Sequence, residues 1–324
     1  MNKTLFSAAL IVATLAAASC KKGGDSNPIT PVPPTTTVKP DDIPPIDQSS
    51  SNTRIEWAST AIKLSHNVPY AEYGRIHRID ANTLILSYHC GDIQNYWDNI
   101  AVRRSTDNGL TWSEAVIVVA DDHPSYYGFA NPEILVMQNG WLMLSYNGKG
   151  KPDENLYSNI QVKISKDKGL TWDAPVIAAR GRSWEPAMVQ LPDGEIQLFY
   201  SSEAKWWINP NSTPNPEQEI LLIRSKDNGT TWTSPVTVAY AAGNRDGMPV
   251  PLILQDNKGI VFPIESVRDS QSPYILWSSM DASWNYAGVG SINNQRRWLA
   301  RQGRFGGAPY LIQLNTKETI LSCQ

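Results

Sequence analysis

Short runs of mainly apolar residues, separated by turn residues, recur along the chain from about residue 70 onward. In one unit the runs span residues 132–136, 141–146 and 160–164, with the turn Gln138-Asn139-Gly140 between the first two. The next unit repeats this order of runs around a Pro192-Asp193-Gly194 turn. Runs of this length, broken at Asn-Gly and Asp-Gly, predict antiparallel β-strands joined by hairpins. We expect four strands in each unit, which is the content of one propeller blade.

An octapeptide of the form S-x-D-x-G-x-T-W occurs three times, at residues 105–112, 165–172 and 225–232, with a constant spacing of 60 residues. A fixed period of this size indicates one supersecondary unit that is repeated and packed against its neighbours. The octapeptide resembles the Asp box of BNR-repeat, sialidase-type β-propellers. The resemblance implies a hairpin corner in which the Asp accepts backbone N–H bonds, the Gly takes a positive φ and the Trp packs under the turn.

The predicted fold is therefore all-β. The resemblance implies a six-bladed β-propeller of the sialidase type, because Asp-box propellers of this kind have six blades. The first unit begins near Tyr73 and the fourth near Met248, and a fifth opens at residues 308–312. The chain stops at residues 318–324, within the second predicted strand of that unit. We therefore expect the propeller to be C-terminally incomplete, truncated in its fifth blade.

The N-terminal region predicts export and anchoring. Residues 1–20 read as a signal peptide, with Lys3 before an apolar stretch and a small-residue run that ends at Cys20. This end resembles the bacterial lipobox, which implies lipidation of Cys20; plain secretion is the alternative. Residues 21–52 are rich in Pro, Thr and Ser and predict a disordered tether, which leaves residues 53–324 for the propeller. We expect a lipid-anchored protein of the bacterial cell envelope, or a secreted one.

The composition limits the kinds of molecule that the protein is expected to bind. The net charge of −3 and the scattered Lys and Arg argue against nucleic acid. Cys90 and Cys323 form no disulfide framework, and the spacing of the four histidines is not that of a zinc site. Twelve Trp and thirteen Tyr suit stacking on sugar rings. We therefore expect a monomer that binds an oligo- or polysaccharide and needs neither metal nor cofactor.

Propeller geometry predicts where the chemistry lies, because the innermost strand starts, and the second strand ends, at the same rim of the channel. The residues before the first strands are Arg75, Asn131, Glu185, Arg245 and Asp246. Those after the second strands are His89, Cys90, Asp92, Asn147, Glu203 and Glu265.

Two glutamates stand out among these positions. Glu185 follows an aromatic residue, and Glu265 follows the apolar run at 260–264, which would desolvate its carboxyl group. Two carboxyl groups that face one channel are what glycosidic cleavage needs, one to donate a proton and one to attack the anomeric carbon or activate water. Ion pairs with Arg75, Arg245 or Arg268 are the alternative role for either glutamate.

A closer resemblance rests on Trp184-Glu185-Pro186, on residues 199–203 and 262–266, and on Arg245-Asp246-Gly247-Met248-Pro249. These segments look like glycoside hydrolase family 93, the retaining exo-α-L-1,5-arabinanases that release arabinobiose from linear arabinan. The resemblance implies Glu185 as acid/base and Glu265 as nucleophile. It also implies a set of sugar-binding residues, for which the candidates are Arg75, His89, Asp92, Trp184, Glu203, Trp206, Trp207, Arg245 and Asp246. Pro263 and the loop at 208–218 depart from the family.

Two other functions stay open. Residues 98–105 also resemble the first blade of exo-sialidases, which hold the substrate carboxylate with three arginines. Here Arg75-Ile76-His77 stands in place of the usual R-I-P, and Tyr88-His89-Cys90 replaces the second arginine. A non-catalytic glycan-binding propeller would keep the tryptophans as stacking platforms but would not need two facing acids.

Overall fold

The computed structural model describes residues 61–65, 68–91, 99–120, 122–207, 217–267, 272–281, 283–285, 297–300 and 305–324. The predicted signal peptide, the predicted tether and Cys20 lie outside these residues, as does Asp92. In the described ranges no helix is long and apolar enough to cross a membrane.

The strands form antiparallel sheets, which we call blades 1 to 5 in chain order. Blade 1 contains β1 (Tyr70–Arg78), β2 (Leu84–Gly91), β3 (Asn99–Ser105) and β4 (Val116–Val119). Blade 2 contains β5 (Tyr126–Val136), β6 (Leu142–Gly150), β7 (Asn159–Ser165) and β8 (Val176–Arg180). Blade 3 contains β9 (Ser183–Gln190), β10 (Ile196–Ser202), β11 (Glu219–Ser225) and β12 (Val236–Ala239). In each, every strand pairs with the next along the chain.

Blades 4 and 5 depart from this regular order. Blade 4 contains β13 (Asp246–Gly247), β14 (Leu252–Ile253), β15 (Ile260–Ser266), β16 (Ser272–Ser278) and β17 (Arg297–Leu299). Its β13 and β14 both pair with β15, so together they take the place of one interrupted inner strand. Blade 5 contains β18 (Tyr310–Gln313) and β19 (Thr319–Ser322). One short helix, α1 (Glu154–Tyr157), follows β6.

The three octapeptides form the same corner between the third and fourth strands of blades 1 to 3. In the first, Asp107 accepts the Thr111 N–H at 2.9 Å and the Thr111 hydroxyl at 2.6 Å. The equivalent distances are 2.8 and 2.5 Å at Asp167, and 2.9 and 2.6 Å at Asp227. The glycines have φ values of 85° to 90°. These contacts confirm the predicted structural role of the repeat.

The hydrophobic core lies between consecutive blades. One cluster joins residues of blade 1, such as Ile85, to residues of blade 2, such as Leu144, and similar clusters join blades 2 and 3 and blades 3 and 4. In the last of these, Trp284 packs on Phe199 and Phe262. Burial between successive antiparallel sheets confirms an all-β, propeller-like architecture.

The inner strands of blades 1 to 3 each contain one residue in the left-handed region, and in blades 4 and 5 such a residue follows β13 and precedes β18. These residues, at φ values between 47° and 58°, are Tyr73, Asn131, Glu185, Met248 and Ala308. In blades 1 to 3 the pairing of the first two strands shifts register at this point, as at a β-bulge. We call them the bulge residues.

The number of blades is a separate matter. Blades 1 to 4 each contain at least four strands, and blade 5 contains two among the described residues. The six-bladed count and the truncation in the fifth blade therefore stay predictions.

Candidate active site

Four side chains hold the same position at the inner ends of the second strands. In blades 1 to 4, the residue before the bulge residue pairs with one residue of the second long strand of the blade. The four pairs are Glu72 with His89, Ala130 with Asn147, Trp184 with Ser201, and Gly247 with Glu265. We call His89, Asn147, Ser201 and Glu265 the inner-ring residues.

The inner ring bonds to the bulge residues of the following blades. His89 Nδ1 accepts the Asn131 N–H at 3.2 Å, and Glu265 Oε2 accepts the Ala308 N–H at 3.0 Å. Ser201 Oγ lies 3.3 Å from the Met248 nitrogen. Three of the four inner-ring residues therefore bind the next blade through one backbone group.

Glu185 is itself a bulge residue, at φ 56°. A non-glycine residue in this region stores strain, and such residues cluster at functional sites. Its Oε2 accepts the Ser201 hydroxyl at 2.8 Å and the Met248 N–H at 2.7 Å. Burial, followed by the negative charge of Glu265, raises the pKa of Glu185 to about 7. Glu185 can therefore carry a proton near neutral pH.

Glu265 lies on the adjacent blade and shares one backbone neighbour with Glu185. A methyl group placed on Gly247 would lie 3.2 Å from Glu185 Oε2 and 3.5 Å from Glu265 Oε1. The two oxygens are therefore less than about 7 Å apart, close enough for both carboxyl groups to face one glycosidic bond. Burial raises the pKa of Glu265, while the Ala308 N–H and the charge of Arg245 oppose that rise.

Arg75 lies at the centre of a cluster of side chains next to Glu185. Its Nε lies 3.1 Å from Glu133 Oε2, and its guanidinium lies over the rings of Tyr73 and Tyr310, at 4.0 and 5.1 Å from their centroids. Its positive charge acts to lower the pKa of Glu185. Arg75 thus links blades 1, 2 and 5 next to the acid, and its role in sugar binding stays a prediction.

Glu203, predicted as a sugar-binding residue, is buried between two arginines. Its Oε2 accepts from Arg182 Nε at 2.5 Å and its Oε1 from Arg245 Nη2 at 2.5 Å. The register pairs Ser201, not Glu203, with Trp184, so Glu203 lies two residues beyond the inner ring. Its described contacts are those of an ion-pair residue that positions Arg245.

Asp246 is fully buried. Its carboxylate accepts two hydrogen bonds from Arg297, at 2.6 and 3.0 Å, and one from the Ser266 hydroxyl at 2.9 Å. A carboxylate with no exposed surface cannot contact a sugar in this conformation. The geometry gives Asp246 a structural role, whereas the sequence pattern predicted substrate binding.

The three predicted stacking tryptophans are half-buried and lie against charged or aromatic neighbours. The Arg182 guanidinium lies 3.9 Å from the ring centroid of Trp207 and 4.8 Å from that of Trp184. Trp206 stacks on Tyr240 at 5.4 Å between centroids. Arg182 and Trp184 also line a small polar crevice with Asn147.

His89 is buried and stacks between two tyrosines. Its ring centroid lies 5.9 Å from that of Tyr70 and 6.4 Å from that of Tyr73. Burial lowers the pKa of His89 to about 4, so the imidazole is neutral at physiological pH. Its role in sugar binding stays a prediction.

Sequence reasoning missed Tyr73, Ser201, Glu133 and Tyr310. A signal was present, because four bulge residues precede proline, in Asn131-Pro132, Glu185-Pro186, Met248-Pro249 and Ala308-Pro309. Counting two residues on from Asn131 and from Ala308 finds Glu133 and Tyr310. Among the described residues, no group of His, Cys, Asp and Glu is arranged to hold a metal ion.

Comparison with known proteins finds one similar family model and one similar curated sequence. A family model described as a BNR repeat-like domain matches residues 158–301. A curated sialidase from Micromonospora viridifaciens is 29% identical over 155 residues, which cover 42% of this chain. The chain spans 24% of the length of that sialidase.

Solved structures are similar over most of the chain. A protein of unknown function from Dyadobacter fermentans has a TM-score of 0.60 at 16% identity, over 78% of this chain and 74% of that one. An α-L-arabinanase from Penicillium chrysogenum, complexed with arabinobiose, has a TM-score of 0.59 at 21% identity, over 79% and 76%. The family 93 α-L-arabinofuranosidase of Fusarium graminearum, also with arabinobiose, has a TM-score of 0.57 at 18% identity, over 79% and 75%. Residues 158–301 therefore resemble a BNR repeat-like domain, and the chain has a fold similar to those of the Penicillium arabinanase and the Fusarium arabinofuranosidase.

Proposed function

We propose that this protein is a retaining glycoside hydrolase in which Glu185 is the general acid/base and Glu265 the nucleophile. The observation that carries the proposal is the approach of both carboxyl groups to Gly247 from adjacent blades. Sharing one site keeps one of the two protonated, because the charge of Glu265 disfavours ionisation of Glu185.

In the first step, Glu185 donates its proton to the glycosidic oxygen as the bond to the anomeric carbon breaks. Both hydrogen bonds that Glu185 accepts from described residues fall on Oε2, so the proton is carried by Oε1. The carboxylate of Glu265 attacks the anomeric carbon and forms a glycosyl ester. The N–H of Ala308 and the charge of Arg245 favour the ionised form that this attack requires.

In the second step, the ionised Glu185 takes a proton from water, and the resulting hydroxide attacks the anomeric carbon. The ester bond to Glu265 breaks, which restores the carboxylate and releases the sugar with retained configuration. The Ser201 hydroxyl and the Met248 N–H stabilise Glu185 in this ionised state. One residue can therefore serve as acid and then as base.

The substrate that we propose is linear α-1,5-arabinan, with arabinobiose as the product. The proposal is supported by the Penicillium and Fusarium structures, which share the fold and hold arabinobiose. It is also supported by His89, a neutral residue at the position where a sialidase would need its second arginine. A neutral imidazole gives no bidentate pair with a carboxylate.

An exo-sialidase is the second candidate. It is favoured by the identity to the Micromonospora sialidase and by the cluster in which Arg75 contacts Tyr73, Tyr310 and Glu133. Sialidases use a Tyr/Glu pair as nucleophile, and this cluster contains both residue types. A lipid-anchored or secreted location, with Cys20 as the lipidated residue, is part of the proposal for either enzyme.

The experiment offers the full chain linear α-1,5-arabinan and sialyllactose in parallel and identifies the products. We expect arabinobiose from arabinan, lost in Glu185→Gln. Glu195→Gln is the matched control, because Glu195 pairs with Arg224 and Lys226 and lies outside the site. Free sialic acid would transfer the assignment to sialidase. No product from either glycan would overturn the hydrolase proposal.

A further inference from the structure

Five side chains occupy equivalent positions, each two residues after a bulge residue. They are Arg75, Glu133, Ala187, Val250 and Tyr310. Of these five, Arg75 in blade 1 is the cation and Glu133 in blade 2 is the anion. Glu133 is 4% exposed, and a carboxylate buried to that extent needs a partner. The repeat of the blades supplies that partner, because it brings Arg75 to the same level of the neighbouring blade.

Glu133 is held in place through both of its oxygens. Oε2 accepts a hydrogen bond from Arg75 Nε at 3.1 Å. Oε1 accepts the N–H of Ile134 at 3.2 Å and lies against Nε2 of His77. The carboxylate is therefore fixed by its own strand and by two side chains of β1.

The guanidinium of Arg75 is surrounded by one acidic and two neutral side chains. The neutral ones are Tyr73 and Tyr310, whose rings it covers. Burial raises the pKa of both tyrosines, so both phenols stay neutral at physiological pH. The acidic one is Glu133, with which Arg75 forms its ion pair. Arg75 also acts on Glu185, but within the described ranges the two form no ion pair.

Glu185 faces groups of both signs. Glu265 on blade 4 acts to raise its pKa, Arg75 on blade 1 acts to lower it, and the neutral Tyr73 lies close by. A direct ion pair with an arginine would favour the carboxylate form of Glu185 and remove the proton that the acid must donate. Glu133 and Glu185 therefore compete for one guanidinium.

We propose that Glu133 is a positioning residue that holds the guanidinium of Arg75 and keeps it from pairing with Glu185, so that the acid retains its proton. This inference rests on the proposed hydrolase and deepens it, because it explains how the acid keeps its proton beside an arginine. Paired with Glu133, Arg75 acts on Glu185 as part of a pair without net charge, whereas alone it would act as a full positive charge. Loss of position and loss of compensation thus change Glu185 in the same direction.

The test is Glu133→Gln in the full chain. The amide keeps the size of the side chain and an oxygen that can accept from Arg75, but it removes the negative charge. The pKa of Glu185 is measured by ¹³C NMR of glutamate-labelled protein, in which the signal of Glu185 is the one absent from Glu185→Gln. We expect this pKa to fall by about one pH unit, the usual effect of a nearby positive charge. The protonated share at pH 7 would then fall from about half to about a tenth, and kcat/KM on an arabino-oligosaccharide about fivefold.

Glu219→Gln is the matched control. Glu219 is a similarly buried glutamate, in β11 of blade 3, and it accepts the Thr237 hydroxyl at 2.9 Å. We expect this variant to leave the pKa of Glu185 at the wild-type value. The melting temperatures of both variants are measured alongside, because loss of a buried carboxylate can lower either of them.

Arg75→Leu shows whether Glu133 acts through Arg75. In that background we expect Glu133→Gln to change the pKa of Glu185 much less than it does in the wild type. An equal decrease in both backgrounds would mean that Glu133 acts through its own charge. An unchanged or higher pKa in Glu133→Gln alone would leave Glu133 a purely structural role. Either result would overturn the positioning role.

The NMR titration also separates this inference from the proposed function. It needs no turnover, so it decides how Glu133 acts on Glu185 whether or not the wild-type chain cleaves a glycan. A wild-type chain that cleaves neither arabinan nor sialyllactose would overturn the hydrolase, and with it the catalytic meaning of the retained proton.

Discussion

The negative charge of Glu265 reaches Glu185 across the boundary between blades 3 and 4 and, after burial, is the main cause that raises the pKa of Glu185 to about 7. Glu265 is partly buried, but it accepts the Ala308 N–H and is close enough to Arg245 for that charge to favour its ionised form. The pair is therefore asymmetric. Glu185 has the environment of a proton donor and Glu265 that of an ionised nucleophile.

This asymmetry predicts a bell-shaped dependence of kcat/KM on pH. Glu185 must be protonated to act as acid, so activity should fall as pH rises through about 7. Glu265 must be ionised, and its raised pKa places the acidic limb above the ordinary range of a carboxyl group. The measurement is kcat/KM on a soluble arabino-oligosaccharide across this range. Constant activity from well below to well above pH 7 would exclude Glu185 as the acid.

Arg75 is predicted to set the pH at which activity falls on the basic side of that profile. Its positive charge lowers the pKa of Glu185, so Arg75→Leu should raise that pKa and move the basic limb to higher pH. Arg78→Leu is the control, because Arg78 lies in the same strand but bonds to Ala81 and Asn108 at 2.9 and 2.7 Å. The pH profiles of both variants are compared with the wild type. A shift to lower pH in Arg75→Leu would contradict this electrostatic role.

The sequence predicted the repeat unit well because the octapeptide is a local structure. Its Ser, Asp and Thr side chains bond to residues no more than four positions away, such as Ser105 to Asp107 and Asp107 to Thr111. The inner ring was harder to predict, because it depends on strand register. Reading the ends of second strands found His89, Asn147 and Glu265 but took Glu203 instead of Ser201 in blade 3. The shift between Phe199 and Ser201 at the bulge is a tertiary feature without a local pattern.

The cluster around Arg75 was unpredictable for a related reason. Tyr73 and Tyr310 are 237 positions apart in the sequence, and they meet at one guanidinium only because blades 1 and 5 both present inner strands there. Glu133 joins them from blade 2. Such contacts arise because the blades surround a common site. A single sequence indicates that arrangement only through the period of its repeats.

Gly247 is predicted to be required for the spacing of the two glutamates. In Gly247→Ala the new methyl group would lie 3.2 Å from both Glu185 Oε2 and Gln218 Nε2, closer than side chains usually pack. Displacement of a catalytic group by even part of an ångström is costly, so we expect kcat to fall by about tenfold or more. Gly74→Ala is the control, since its methyl group would meet only Leu86, at 3.6 Å. Wild-type kcat in Gly247→Ala would contradict the shared site.

Asp246 and Arg297 are predicted to stabilise the fold without contacting the substrate. Both side chains are fully buried, so Asp246→Asn leaves a buried guanidinium without its counter-charge and should lower the free energy of unfolding by about 3–5 kcal/mol. Replacing both with apolar residues should recover much of that loss, because no buried charge then remains. Asp256→Asn is the control, since its pair with Lys317 is exposed and should contribute no measurable stability. Denaturant unfolding gives the free energies, and KM reports on substrate contact. A raised KM with unchanged stability in Asp246→Asn would return Asp246 to the sugar-binding surface that its sequence motif implied.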